Sequence, residues 1–297
     1  KIAKGTARII RATISRGFNY WHVSFTVYER KRIPETHRNP GSVVGVDMGV
    51  GDHVIVAANP HGDEVMRRGL PTTIADHDKI IRHLQRKLSR KRGPDKRTKT
   101  APSNRWTRAN NQIRKHYNTM SNVCRDFAAK AAHDLAKNYE TVVIEDLNVR
   151  AMMARGGAYK RGLNRAIAQA SFADLRRRIA YKTQWNGGTT IVADRWFPSS
   201  KTCSRCGEVK SKLSLSEREY MCHRCGIVVD RDLNAATNLA KLAVPKSGVS
   251  NIDRTGSSPG MGRGGAGKTS SLSGGLAPAG EASMVRKGLS GCKAGTR

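Results

Sequence analysis

Two groups of residues in this chain have the types and spacing to do chemistry: four paired cysteines and three isolated carboxylates. "CSRC" and "CHRC" place Cys203, Cys206, Cys222 and Cys225 as two CxxC knuckles. Four thiolates spaced in this way surround one Zn2+ tetrahedrally, as in a zinc ribbon. No coordination position then stays open for water. The ion is expected to be structural and to contribute folding energy to a segment too small for its own core. The carboxylates are Asp47 in "VVGVDMGV", Glu145 in "VVIEDL" and Asp232 in "DRDLNAATNLA". A carboxylate in an apolar strand is costly to bury unless it is paired or coordinates a metal. If the two strands are parallel neighbours and the helix start comes alongside, the three converge on one rim. Such a rim holds two Mg2+ ions about 3.5 to 4 Å apart, which activate a water and stabilise the leaving oxygen of a phosphodiester. Taken singly, Asp47 also reads as a strand end and Asp232 as a complement to the helix dipole. Asp146 is expected to point away from Glu145 across the strand, and Asp194 to pair with Arg195 at a strand end.

The elements that must position these groups are legible from hydrophobic period. "WHVSFTV" alternates Trp21, Val23, Phe25 and Val27 on one face and, with Ile9 and Ile14, reads as the end of a small antiparallel sheet. A basic, Pro-containing linker follows, and then "SVVGVDMGVGDHVIVAAN" gives two strands around a Gly-containing turn. Helical spacing runs from Asp76 to about Arg92 (Ile81, Leu84, Leu88) and from about Asn104 to Lys137 (Trp106, Ile113, Met120, Phe127, Leu135), predicting a long hairpin. Trp106 and Tyr117 are expected in its core. "TVVIEDL" reads as a short buried strand, "AMMARGGAYKRG" as a loop, "LNRAIAQASFADLRRRIAYKTQW" as one helix and "GGTTIVADRWFP" as a further strand. After the cysteines comes a helix from about Arg231 to Leu242. Beyond Pro245 the Gly, Ser and Lys/Arg content predicts disorder.

Charge narrows the partners. The chain carries 54 Lys+Arg against 23 Asp+Glu, a net charge of +31 over 297 residues. That excess points to a polyanion, most simply nucleic acid. It is steepest between Lys79 and Lys115, where Asp95 alone opposes fourteen Lys/Arg. Arg82, Arg86, Lys87, Arg90, Lys91 and Arg92 form a candidate phosphate-binding track. No apolar run nears the roughly 18 residues of a membrane span and no signal peptide opens the chain, so a cytoplasmic protein without membrane contact is expected. Paired cysteines fit metal binding in a reducing compartment. "GRGGAGKT", Gly262 to Thr269, matches a phosphate loop by letter. It lacks the preceding strand and following helix that the chemistry requires.

"GVDMGV", "VVIEDLN" and "DRDLNAATN", in that order, with "DRWFPSSKTCSRCG" and a CxxC knuckle between the last two, resemble the split RuvC-like nuclease domain of TnpB. TnpB proteins are transposon-associated, RNA-guided DNA endonucleases related to type V CRISPR effectors, and the resemblance covers roughly residues 1 to 243. It implies an α/β, RNase H-like fold with helical-hairpin and zinc-ribbon insertions, preceded by the remnant of a small β domain. The implied boundaries are 1–40 for that β remnant and linker, 41–198 for the nuclease domain with its hairpin at about 76–137, 199–229 for the ribbon, 230–244 for the final nuclease helix and 245–297 for the tail. It implies Mg2+ at Asp47, Glu145 and Asp232 as catalytic residues, structural Zn2+, and guide RNA and target DNA as partners of a monomer, with the basic hairpin along the heteroduplex. The family pattern Asp-x-Asn-Ala-Ala favours Asp232 over Asp230 as third ligand, which leaves Asp230 as a helix cap. Family members usually carry the rest of the small sheet and a helical recognition module before the part that ends near Val27, and a sequence whose first residue is Lys1 rather than Met, with strand-like residues almost at once, is expected to be a fragment. The alternative reading is a cleavage-deficient or truncated RNA-guided DNA-binding protein of repressor type.

Overall fold

The computed structural model describes residues 2–244 except 4, 18, 19, 31, 155, 158, 159 and 215, together with 283–285. Two compact units are present, the larger spanning Arg32–Pro245. In the smaller, β1 (Ala7–Arg16) and β2 (Trp21–Glu29) pair antiparallel with an irregularity between Ile9 and Arg11. The alternation in "WHVSFTV" does not build a core among the described residues of this unit. Val23 and Val27 are half-buried, and Trp21, Phe25, Ile9 and Ile14 are exposed.

The larger unit is mixed α/β. Its centre is a five-stranded sheet. β3 (Val43–Met48), β4 (Ile55–Ala58) and β5 (Glu64–Arg68) form an antiparallel meander, and β6 (Thr141–Ile144) and β7 (Thr189–Val192) add parallel on the other side of β3. β5 was not expected: "EVMRR" has too few apolar residues to announce a strand, and its pairing with β4 holds it. Between β5 and β6 lie α1 (Thr72–Ser89) and α2 (Asn104–Asn138), the expected hairpin. Ser103 caps α2 by accepting the Trp106 N–H at 3.2 Å. Ile74 and Ile81 of α1 meet Ile113, Met120 and Cys124 of α2. Farther along α2, Phe127, Ala128, Ala131, Ala132 and Leu135 turn to the sheet, where they pack with Val44, Val46, Val142 and Ile144. Tyr117 is a correction, being 49% exposed, with its hydroxyl accepting from Gln85. Trp106 is half-buried over Gly93.

After β6 the expected loop holds the one-turn α3 (Val149–Met152). The single helix expected next is two, α4 (Lys160–Ala170) and α5 (Phe172–Trp185), broken at Ser171 with φ 52°. Hydrophobic period could not reveal the break, because both halves are helical and Ile167 and Phe172 both reach the sheet core. The cysteine segment supplies β8 (Glu219–Met221) and β9 (Val228–Asp230), and the last helix of this unit is α6 (Arg231–Lys241). Finally β10 (Ser283–Val285) pairs antiparallel with β2, a strand where disorder was expected. The rest of that tail, with "GRGGAGKT" and Cys292, lies outside the described residues. Among the described residues no helix is long and apolar enough to cross a membrane.

The sheet is covered unequally. α2 and α5 lie over one face, and on the other α6 packs against Val56, Ala58 and Val143 through Ala236 and Leu239. The closest approach is at Gly45. A Cβ there would stand 2.1 Å from the Ala236 carbonyl oxygen and 2.3 Å from the Ala240 nitrogen, both backbone atoms that cannot swing aside. Gly45→Ala is therefore expected to force α6 off the strand and destabilise the protein by about 1–3 kcal/mol or more, read as a lower thermal midpoint. An unchanged midpoint would mean that the two elements are not in backbone contact.

Candidate active site

The pleat of β3 sends Val44 and Val46 to the main core, so Gly45 and Asp47 face α6. β3 and β6 run parallel with Val46 opposite Ile144, which brings Asp47 and Glu145 side by side at the carboxyl ends of adjacent strands. α6 crosses β3 with Ala236 and Ala240 over Gly45. One turn before Ala236, toward the helix start, is Asp232. Three residues distant in sequence thus share one rim of the sheet, each half-buried.

Their charges oppose one another. Burial first, then Glu145 and Asp232, push the Asp47 carboxyl well above the usual range, and Arg231 only partly offsets this. Burial and Asp232 raise Glu145 as well, against the Ser199 hydroxyl, which donates to Glu145 Oε1 at 2.6 Å. Arg231 donates to Asp232 Oδ1 from Nε and Nη2, each at 3.1 Å. The three carboxylates are brought to one rim but not into a closed cluster. Among the described residues the cysteines alone form a group whose ligand atoms all lie within 4.8 Å. Oxygen donors crowded at the cost of raised proton affinity fit a hard divalent cation, which would relieve the repulsion.

Asp230 is otherwise engaged. It caps α6, its Oδ1 accepting from the N–H groups of Asp232 (3.1 Å) and Leu233 (2.9 Å), and it pairs with Arg67 Nη2 at 3.1 Å. Burial would raise its pKa, but the Leu233 amide and Arg67 outweigh that and hold it below the usual range. Arg67 comes from β5, the strand that the sequence did not announce. Asp146 is taken by Arg176 (2.6 Å) and Arg195 (2.5 Å). The expected Asp194–Arg195 pair is corrected accordingly: Arg195 turns to Asp146, and Asp194 Oδ1 accepts the Trp196 N–H at 2.8 Å.

The four cysteines converge. Cys203 and Cys225 sulfurs lie 3.6 Å apart, as do those of Cys206 and Cys222. Tetrahedral Zn–S bonds of about 2.3 Å need sulfurs about 3.8 Å apart, so the donors fit Zn2+ in type, number and spacing. Each knuckle closes in the same way. Gly207 and Gly226, at φ 76° and 73°, donate their N–H to the carbonyls of Cys203 and Cys222, a conformation that glycine adopts without strain. The Cys225 N–H, opposed by burial and aided by the Arg224 N–H, holds the Cys222 thiol below its usual range, whereas, against the Glu208 N–H, burial and the other three cysteines push Cys206 up. Buried Asn234 and Asn238 of α6 fasten the segment before and after Cys203, through hydrogen bonds to Ser199, Thr202 and Ser204 backbone atoms. Neither asparagine was singled out from sequence, nor were Ser199 and Arg67. The available signals were the Asn of the pattern Asp-x-Asn-Ala-Ala and a second Asn four residues on in an Ala-rich helix.

The basic track lies along α1 and the turn after it. Arg82, Arg86, Lys87, Arg90 and Arg92 are exposed and Lys91 is half-buried. Lys79, Arg82 and Arg86 line a shallow recess of about 560 Å3 with Gln85 and Ser89. Arg82 is partly neutralised by Asp78 at 2.6 Å.

Known proteins match along the same segments. A family model described as "Probable transposase", OrfB_IS605, matches residues 25–156, and one described as "Cas12f1-like, TNB domain" matches residues 172–239. The chain is 32% identical over 249 residues to a Mycobacterium tuberculosis protein named "Putative RNA-guided DNA endonuclease", covering 84% of this chain and 52% of that one. It is 32% identical over 150 residues to the TnpB-like protein L79 of Acanthamoeba polyphaga mimivirus, covering 49% and 28%. A solved Cas12f1-sgRNA-target DNA complex aligns with a TM-score of 0.48 and 20% identity over 76% of this chain and 55% of that one. The chain thus spans about half the length of the mycobacterial relative.

Two measurements follow from this geometry. Raised carboxyl pKa values mean that the native state binds protons more tightly than the unfolded state. In EDTA, the stability that these two carboxyls contribute should therefore be fully present below the ordinary carboxylate range and be lost as pH rises through the raised values. Asp47→Asn should flatten that fall and raise the midpoint at pH 7 by roughly 2–4 °C, the effect of about 1 kcal/mol in a domain of this size. A lower midpoint would mean that Asp47 is not held against like charge. At the other site, Cys222→Ser should reduce bound zinc from one per chain to near zero by elemental analysis and lower the midpoint. Undiminished zinc would remove Cys222 from the ligand set.

Proposed function

We propose that this chain, which matches two family models and is 32% identical over 150 residues to a TnpB-like protein, is a metal-dependent, RNA-guided DNA endonuclease whose single hydrolytic centre is formed by Asp47, Glu145 and Asp232. The observation that carries this is the meeting of three mutually repelling carboxylates at the carboxyl end of the sheet. The sheet order, an antiparallel meander with two parallel strands added beside its first, supports an RNase H-like, RuvC-type fold. When bound there, two Mg2+ ions activate a water and stabilise the leaving oxygen of a phosphodiester. The chain's own part is to hold three carboxylates rigidly on separate elements, to fix Glu145 through the Ser199 hydroxyl and to present a cationic surface. Arg82, Arg86, Lys87, Arg90, Lys91 and Arg92 would contact the phosphates of a guide RNA and its heteroduplex with target DNA, giving salt-sensitive affinity rather than base readout. Zn2+ at Cys203, Cys206, Cys222 and Cys225 would be structural, since four thiolates leave no position for water.

The test is to purify the protein with co-expressed flanking RNA and incubate it with matching DNA in Mg2+ or in EDTA. Cleavage in Mg2+ alone, lost in Glu145→Ala while RNA still copurifies, is expected. Equal DNA binding by both forms with no cutting by either would instead favour the repressor-type reading.

A further inference from the structure

A strap of hydrogen bonds runs from the thiol cluster to Glu145. The Pro198 carbonyl accepts from the N–H groups of Lys201 (3.1 Å) and Thr202 (3.0 Å) and from Thr202 Oγ1 (2.8 Å), winding residues 198–202 into a tight turn. Asn238 Nδ2 donates to the carbonyls of Ser199 (2.8 Å) and Thr202 (2.6 Å). Asn234 Nδ2 donates to Thr202 O at 2.7 Å, and its Oδ1 accepts the Ser204 N–H at 2.8 Å. Cys203 lies between these anchored residues, so the same two amides set both its place and that of Ser199. Asn234, Asn238 and Ser199 are 0%, 5% and 5% exposed. Buried amides in a helix of alanines are unfavourable unless their hydrogen bonds are made, and here they are made to the turn that bears Ser199. The one hydroxyl proton of Ser199 goes to Glu145 Oε1 at 2.6 Å. That bond fixes the carboxylate plane and leaves Oε2 for another partner.

We propose that Ser199 is the positioning residue of Glu145, tied through Asn234 and Asn238 to the cysteine cluster, and that divalent-cation binding at the carboxylate rim depends on this strap. The inference rests on the rim being a divalent-cation site. Partners that orient a metal ligand typically contribute about 10–100-fold to metal affinity, and Ser199 stands in that relation to Glu145.

The experiment titrates the zinc-loaded full chain with Mn2+ alone, following free Mn2+ by electron paramagnetic resonance. Zinc content and far-ultraviolet circular dichroism serve as checks of folding. Ser199→Ala should weaken Mn2+ binding about 10-fold or more with zinc content unchanged, and Ser199→Thr, which keeps the hydroxyl, should restore most of it. Asn238→Ala, with Ser199 and Glu145 intact, should weaken binding in the same direction and keeps the test open if Ser199→Ala fails to fold. Wild-type Mn2+ affinity in Ser199→Ala or in Asn238→Ala, while Glu145→Gln binds weakly, would overturn the strap and leave the cation site standing. Unchanged affinity in Glu145→Gln itself would overturn both.

Discussion

The absence of a side chain at Gly45 is the constraint from which the rest of the site follows. It lets the backbone of α6 rest on the backbone of β3 at a distance that any Cβ would forbid. The contacting stretch of the helix is made of small residues for the same reason: Ala235, Ala236 and Ala240 are all fully or nearly fully buried. Close packing of this kind transmits position. With Ala236 fixed over Gly45, the first turn of α6 has little freedom, and Asp232 is delivered to the rim where β3 and β6 already present Asp47 and Glu145 in register.

That rim is an anionic island in a strongly cationic chain. Asp47 and Glu145 are raised in pKa by burial and by neighbouring acids, whereas Asp146 nearby is lowered by Arg176 and Arg195, and Asp230, against burial, by the Leu233 amide and Arg67. The contrast sorts the acids. Asp146 and Asp230, held by arginines and amides, support the architecture, and Asp47 and Glu145, which face like charge, form with the Arg231-bonded Asp232 a place that a divalent cation would stabilise. A polyanion drawn to the surrounding basic surface can approach such a place only once its charge is compensated. The ribbon is joined to this arrangement through α6, whose opposite sides serve two tasks. Its alanines meet the sheet, and Asn234 and Asn238 meet the first knuckle.

Much of this was legible in sequence because local and global signals agreed. The knuckles, the two strands bearing Asp47 and Glu145, the helical hairpin and the helix starting at Arg231 all have period or spacing that admits one reading, and Asp230 has the composition and place of an N-cap. What escaped notice depends on tertiary partners. β5 is a strand because β4 pairs with it, and the break at Ser171 interrupts no hydrophobic period. Tyr117 falls on a helical repeat but at the edge of the α1–α2 contact, where its hydroxyl reaches Gln85. Arg195 chose Asp146 over its neighbour Asp194 because Asp194 turns back on the Trp196 amide. The Ser199 hydroxyl could not be assigned to Glu145, 54 positions away, by any rule of spacing.

Convergence of the three acids on a shared cation is tested most directly by anomalous diffraction from crystals of the protein soaked in Mn2+. Density flanked by Asp47, Glu145 and Asp232 side chains, with Asp230 still bound to the start of α6, is the predicted result. Mn2+ peaks elsewhere on the protein with none on this rim, in crystals where all three side chains are ordered, would contradict it.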